Sequence, residues 1–174
     1  MNKSLQISTT DIDHLDIEQY CILQQKSFAE VFAESQIDNS YLDPSFFKWK
    51  YNTPNGKARI AFAIENNEML ASVAMYPVVF TNGQELSKGW HFVEAATLPK
   101  ARGRGLFKAC MQELMDSLKN DDVIYVFPNK SSLHGTEKIG FQQTDQIPFY
   151  GKMVFRKLEN SQTEFSPSCH FSLK

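Results

Sequence analysis

The chain is poor in cysteine, and the three it has form no pattern. Cys21, Cys110 and Cys169 are spread over 174 residues, odd in number and without C-x-x-C spacing, which argues against a disulfide framework or a zinc site. Cys21 and Cys110 fall on apolar helical faces and read as buried thiols. Long apolar runs are missing too. No stretch approaches a membrane span and the segment from Met1 to Asp13 has no apolar core, so neither a spanning helix nor a leader is expected, and the reading is a cytoplasmic protein. Charge of one sign is also lacking. A net charge of −2, a pI near 6.1 and the absence of a basic run offer nothing to nucleic acid or an anionic membrane. His14, His91, His134 and His170 stand in no ligand spacing with Cys, Asp or Glu, so no metal is expected. No G-x-S-x-G elbow and no G-x-x-x-x-G-K-[ST] loop occurs.

What remains is a chain with 42% hydrophobic residues, enough for one domain with a sizeable core and too short for two. The boundaries expected are a single domain over 1–158 and a polar tail over 159–174. Leu5 to Ser8 suggests a short strand, and Asp16 to Phe32 one helix whose apolar spacing is interrupted by Gln24. Asp43 followed by Pro44 is a helix start. That helix carries Phe46, Phe47, Trp49 and Tyr51, which read as sealing it against a sheet, or alternatively as lining an acceptor pocket. Ala58–Glu65 and Met69–Phe80 read as a hairpin, with Pro77 marking a bend, bulge or edge. Asn82-Gly83 turns the chain into a third strand. Gln142 to Phe155 contains a further strand or pair of strands.

The centre of the chain is Trp90 to Leu118. A strand from Phe92 to Leu98 leads through Arg102-Gly103-Arg104-Gly105 into a helix beginning near Leu106, with Leu106, Phe107, Cys110, Met111, Leu114, Met115 and Leu118 on one apolar face. A glycine turn entering a helix gathers free N–H groups at the positive end of the helix dipole. Arg102 and Arg104 add charge, and the guest such a turn suits is a phosphate or pyrophosphate. The dinucleotide fingerprint is not met, because its third glycine would fall at Lys108.

Leu98-Pro99-Lys100-Ala101-Arg102-Gly103-Arg104-Gly105-Leu106-Phe107 resembles the acetyl-CoA pyrophosphate loop of the GNAT N-acetyltransferase superfamily, [QR]-x-x-G-x-[GA] after a strand. Arg102, Gly105 and the Thr97-Leu98-Pro99 lead-in match, while Phe107 occupies a position that is small in the family. Downstream, a strand at Val123–Phe127, then Pro128-Asn129, a helix, and Lys138-Ile139-Gly140-Phe141 resemble the next segment of the family, in which the Asn contacts CoA. The resemblance spans roughly Ala58 to Arg156. It implies an α+β fold, with a mixed, mostly antiparallel central sheet flanked by helices and a strand–glycine loop–helix cofactor site.

The same resemblance implies acetyl transfer from acetyl-CoA to a small-molecule amine by direct attack in a ternary complex. Ala96, Thr97 and Leu98 would pair with the pantetheine arm. Arg102, Gly103, Arg104, Gly105, Leu106 and Phe107 would hold the pyrophosphate, and Asn129 would contact CoA. Glu94, the only carboxylate of its strand, is the expected base. Strand alternation sends His91 to the opposite face. The position that commonly carries a Tyr general acid holds Thr136, whose hydroxyl cannot replace it. Tyr150, ahead of His134 and Tyr125, is the candidate in its place. A homodimer is left open, and the competing reading is a non-catalytic acyl-CoA-binding or protein-interaction module on the same fold.

Overall fold

The computed structural model describes residues 4–36, 38–81, 83–119 and 122–143. The tail over 159–174, the strands expected after Gln143, Cys169 and Tyr150 lie outside the described residues. In chain order the elements are β1 (Gln6–Asp11), α1 (Ile17–Ser27), α2 (Ala29–Ser35), α3 (Pro44–Tyr51), β2 (Asn52–Thr53), β3 (Gly56–Lys57), β4 (Arg59–Glu65), β5 (Glu68–Thr81), β6 (Leu86–Thr97), α4 (Leu106–Asp116), β7 (Val123–Val126) and α5 (Lys130–Glu137). A single 3-10 turn, Pro99–Ala101, links β6 to the glycine loop.

One five-stranded sheet runs in the order β1-β4-β5-β6-β7, and β2 and β3 make a separate small hairpin. All neighbours in the large sheet are antiparallel except β6 and β7. That parallel pair needs a crossover, and α4 supplies it. The expected fold class is thus the observed one. Along β5, Pro77 pairs with Trp90 of β6 but lies beyond Met75, the last residue matched by β4. On that side Pro77 is at an edge, where its missing N–H costs no ladder bond.

α4 buries Leu106, Cys110, Met111 and Leu114 and packs across β1, β4, β5 and β6. It ends at Asp116, a little short of the expected Leu118. α1 covers β5 and β6 with Tyr20, Cys21, Leu23 and Gln24 buried. Burial lifts the thiol of Cys21 to about 11 and that of Cys110 to about 12, so both stay protonated and inert.

Two expectations need correction. The helix expected over Asp16 to Phe32 is two helices, broken at Phe28 (φ −108°, ψ 6°). The break frees the Ser27 carbonyl from the helical ladder, and the Arg102 guanidinium donates to it (3.2 Å). In α3, Asp43 caps by accepting from the Phe46 N–H (2.8 Å), as the sequence implies. Phe47 and Tyr51 are fully buried there, but Trp49 is 75% exposed. Helical spacing places Trp49 two residues from both, on the outer face, so the sealing role belongs to Phe47 and Tyr51.

Candidate functional site

The glycine loop opens as the sequence implies. Gly103 (φ 78°) and Gly105 (φ 76°) hold left-handed backbone, and a Cβ added at either would meet nothing within 4 Å. Gly105 precedes α4, whose N-terminus has no side-chain cap. The first intrahelical bond runs from the Ala109 N–H to the Gly105 carbonyl (3.0 Å). The N–H groups of Leu106, Phe107 and Lys108 therefore precede any helical acceptor. Space, dipole and donors together suit an anionic group.

The two arginine side chains both have partners within the protein. Arg104 makes a two-pronged pair with Glu65 (3.0 and 2.8 Å). Its guanidinium holds the Glu65 carboxyl below the usual range, and Glu65 raises Arg104 in turn. Arg102 braces the α1–α2 break. Both side chains fasten the loop to its neighbours, beside the free peptide N–H groups of the first turn of α4.

β6 and β7 pair only as far as Phe92 and Val126. Beyond that point β6 continues to Thr97 while β7 ends, and a cleft of ≈ 300 Å³ opens between them, bordered by Phe28, Val93, Glu94, Phe107, Phe127 and Asn129 among others. Leu98, expected to face the donor's arm, gives its N–H to the Leu70 carbonyl on the β5 side (2.9 Å). Alternation turns Ala96 the same way and leaves the Thr97 peptide facing the open edge.

At the head of the cleft the ladder slips. Ser72 pairs with Ala96 but Ala74 pairs with Val93, so Glu94 and Ala95 together oppose Val73. This is a β-bulge. Glu94 sits in it with φ 49°, a left-handed conformation costing a non-glycine residue roughly 1–2 kcal/mol. Three neighbours hold it there. The Lys50 ammonium and the Tyr51 hydroxyl each donate to one Glu94 carboxylate oxygen, and the Gln24 side-chain amide donates to its carbonyl (3.4 Å). The same amide reaches the Ser72 hydroxyl (3.3 Å), and the Tyr20 and Tyr51 hydroxyls are linked at 2.6 Å. Burial, with the nearby Glu94 carboxylate adding to it, raises both phenols well above 10.

The bulge overturns the expected separation of Glu94 and His91. His91 meets the Tyr76 hydroxyl through Nδ1 (2.6 Å) and stacks on Tyr125 with ring centres 4.3 Å apart. Burial first, and then the Lys50 charge, lowers its pKa from 6.5. Tyr76, its partner, also feels the charge of Glu94. Lys50 thus stands near both residues: the bulge and the left-handed backbone at Glu94 turn its carboxylate toward the same Lys50 that acts on His91. His91 Nε2 has no partner among the described residues.

The remaining candidates are quickly placed. Asn129 accepts from the Ser132 N–H (2.9 Å) and caps α5 from the cleft wall. Thr136 is buried and its hydroxyl donates to the Leu133 carbonyl (2.7 Å). His134 is exposed. Burial raises Tyr125 above its ordinary value. Phe107, standing where the family pattern is small, fits because Gly135 faces it: a Cβ there would come within 2.8 Å of the ring. The sequence alone singles out neither Lys50 nor Tyr76, gives Tyr51 only a packing or pocket role, and shows Gln24 as an interruption. A polar residue in the middle of an apolar helical face was the one available signal.

The profile of the acetyltransferase (GNAT) domain family matches residues 11–144. The chain belongs to the GNAT acetyltransferases. Among similar solved structures is a predicted acetyltransferase with acetyl-CoA from Clostridium acetobutylicum, 20% identical, with TM-score 0.63 over 85% of this chain and 96% of that one. An aminoglycoside acetyltransferase from an uncultured soil metagenomic sample, in complex with sisomicin, is 14% identical, with TM-score 0.61 over 86% and 96%. Glucosamine-6-phosphate N-acetyltransferase from Arabidopsis thaliana is 16% identical, with TM-score 0.56 over 85% and 99%. At these identities the likeness is one of fold. No curated protein sequence matches the chain. Among the described residues no helix is long and apolar enough to cross a membrane, and no group of three or more His, Cys, Asp or Glu could hold a metal.

Proposed function

We propose that this GNAT chain transfers an acetyl group from acetyl-CoA to the nitrogen of a small-molecule amine by direct attack. The observation that carries the reading is the uncapped α4 N-terminus behind Gly103 and Gly105, set beside the cleft at the β6–β7 parting. The loop peptides from Gly103 to Phe107 hold the pyrophosphate, and the open edge of β6 at Thr97 receives the amides of the pantetheine arm. Acetyl-CoA supplies the activated acyl group, the new C–N bond replacing the C–S bond. Holding both partners in this cleft lowers the barrier chiefly through orientation.

An amine arrives at neutral pH as an ammonium and must lose a proton before it attacks. His91 takes that proton, directly or through water. Its Nε2 has no partner among the described residues, Tyr76 fixes the ring through Nδ1, and its lowered pKa keeps it unprotonated near neutrality. The earlier expectation gave this role to Glu94. Both Glu94 oxygens are occupied by Lys50 and Tyr51, which suits it to holding the bulge. Replacing each residue separates the two assignments. With an amine that the parent accepts, His91→Gln removes the acid limb of the pH–rate profile and lowers turnover by roughly 10²-fold. Glu94→Gln keeps the limb. A limb lost in Glu94→Gln and kept in His91→Gln would return the role to Glu94.

Phe107 and Thr136, at positions where the family pattern has a small residue and a Tyr, favour a second reading: a domain that binds acyl-CoA without turning it over. Acetyl-CoA binding with no thiol release across a broad amine panel would establish that reading.

A further inference from the structure

One ring at the edge of the cleft belongs to a larger aromatic cluster. Phe127 is 63% exposed, borders the cleft, and packs edge-on against His91 (5.3 Å) and Tyr125 (5.4 Å). Tyr76 closes on His91 from β5 (5.0 Å), and Phe80 closes on Tyr125 (5.6 Å). An aromatic side chain this exposed at the lip of a cleft is costly to leave in water and gains most from a flat apolar partner.

Charge narrows the choice of partner. The charges that act on this cluster are those of Lys50 from α3, on His91, and of Glu94 from β6, on Tyr76, and the two form an ion pair. Tyr76 from β5 and Tyr125 from β7 are both raised above their ordinary values and stay neutral. A polyamine or an aminosugar antibiotic needs spare carboxylates, and a phosphorylated or carboxylated acceptor needs spare cations. Among the described residues the cluster is acted on by one ion pair and no spare charge of either sign. An uncharged imidazole and the ring faces do tolerate a single incoming ammonium.

We propose that the acceptor is a primary amine carried on an aromatic ring, seated against Phe127 with its nitrogen directed toward the bulge at Glu94 and Ala95. The proposal rests on the acetyl-transfer reading above. The step balances as before: the ammonium gives one proton to His91, its nitrogen bonds to the acetyl carbon, and the thiolate leaves and is protonated as a second proton is lost from nitrogen.

The test uses the full chain, acetyl-CoA, and three probe acceptors: 2-phenylethylamine, spermidine and glucosamine 6-phosphate, with thiol release as the readout. We expect kcat/KM for 2-phenylethylamine to exceed that for either other probe by at least about tenfold, a difference of ~1.4 kcal/mol. Phe127→Ala and Phe127→Leu, at an exposed position that leaves the core intact, should each raise KM for 2-phenylethylamine several-fold, with the acetyl-CoA thermal shift unchanged. Preference for spermidine or the sugar phosphate overturns the proposal, as does an unchanged KM in both variants. No turnover of 2-phenylethylamine overturns it as well. In that case a retained acetyl-CoA shift leaves the donor site standing, and a lost shift brings down the acetyl-transfer reading itself.

Discussion

Replacing Gly105 with Glu should abolish acetyl-CoA binding while leaving the protein folded, and the structure allows the two effects to be separated. At φ 76° any side chain is strained, by roughly 1–2 kcal/mol for left-handed backbone. No clash adds to this, because nothing lies within 4 Å of the new Cβ. A carboxylate beside the first turn of α4 returns about 0.3–1 kcal/mol through the helix dipole. The net cost is about 1 kcal/mol, a drop in Tm of roughly 2–4 °C for a chain of this size. The ligand effect is larger. Acetyl-CoA at a hundred times its Kd stabilises the parent by about 2.7 kcal/mol, a rise of roughly 5–10 °C on the same scale.

Differential scanning fluorimetry with and without acetyl-CoA reads both quantities. Gly105→Ala is the control: it carries the strain without the charge, so its apo Tm falls slightly further than that of Gly105→Glu. It should keep most of the ligand-induced rise, because a methyl in open space leaves the N–H groups accessible. Gly105→Glu should show no rise, since its carboxylate occupies the place of the pyrophosphate and repels it. If Gly105→Glu gains as many degrees from acetyl-CoA as the parent, the donor is not held at the head of α4.

Asn129→Ala should cost about 1 kcal/mol of stability as a lost helix cap, and Asn129→Asp should restore it; a fall in acetyl-CoA affinity confined to the Ala variant would show that the side chain also meets the donor. Lys50→Met should move the acid limb of the pH–rate profile to higher pH, because a cation that depresses the His91 pKa is removed. Stability should also respond to His91: its folded pKa lies below the unfolded value, so the unfolded chain binds more protons, and stability falls as pH drops below about 6.5 toward the lowered folded pKa. His91→Gln should flatten that part of the curve in a pH series of thermal melts. Gly135→Ala, which in an open helix gains up to about 1 kcal/mol, should destabilise here through its contact with Phe107. Adding Phe107→Ala should remove that penalty, so the double-mutant cycle should show a clear coupling.

The sheet, its antiparallel order, the α4 crossover and the glycine loop were legible because each is written locally. Alternation marks β4 and β5, Asn82-Gly83 marks a turn, and an apolar stripe beginning just past two glycines marks α4. The α1–α2 break was not legible, because helical spacing runs on through Phe28, and the partner of the Ser27 carbonyl it frees is Arg102, far along the chain. Gln24 was visible only as an exception to a pattern. Its explanation, a clamp on Ser72 and on the Glu94 carbonyl, exists only once α1 lies over β5 and β6. Phe107 looked like a departure from the family loop until Gly135, on a different helix, proved to be the space it fills.

The bulge shows most plainly where local reading stops. Alternation assigns faces to a strand only while each residue has one partner, and the partner strand, not the strand itself, decides where two residues oppose one. Counting from His91 to Glu94 therefore puts them on opposite faces, whereas the bulge at Glu94 and Ala95 and the left-handed backbone of Glu94 bring its carboxylate to Lys50, whose charge also acts on His91. On opposite faces, Glu94 and His91 would be rival bases of which only one could reach the cleft. Instead both meet Lys50: its ammonium pairs with the Glu94 carboxylate, and its charge adds to burial in lowering the His91 pKa, the arrangement on which the proposal of His91 as base rests.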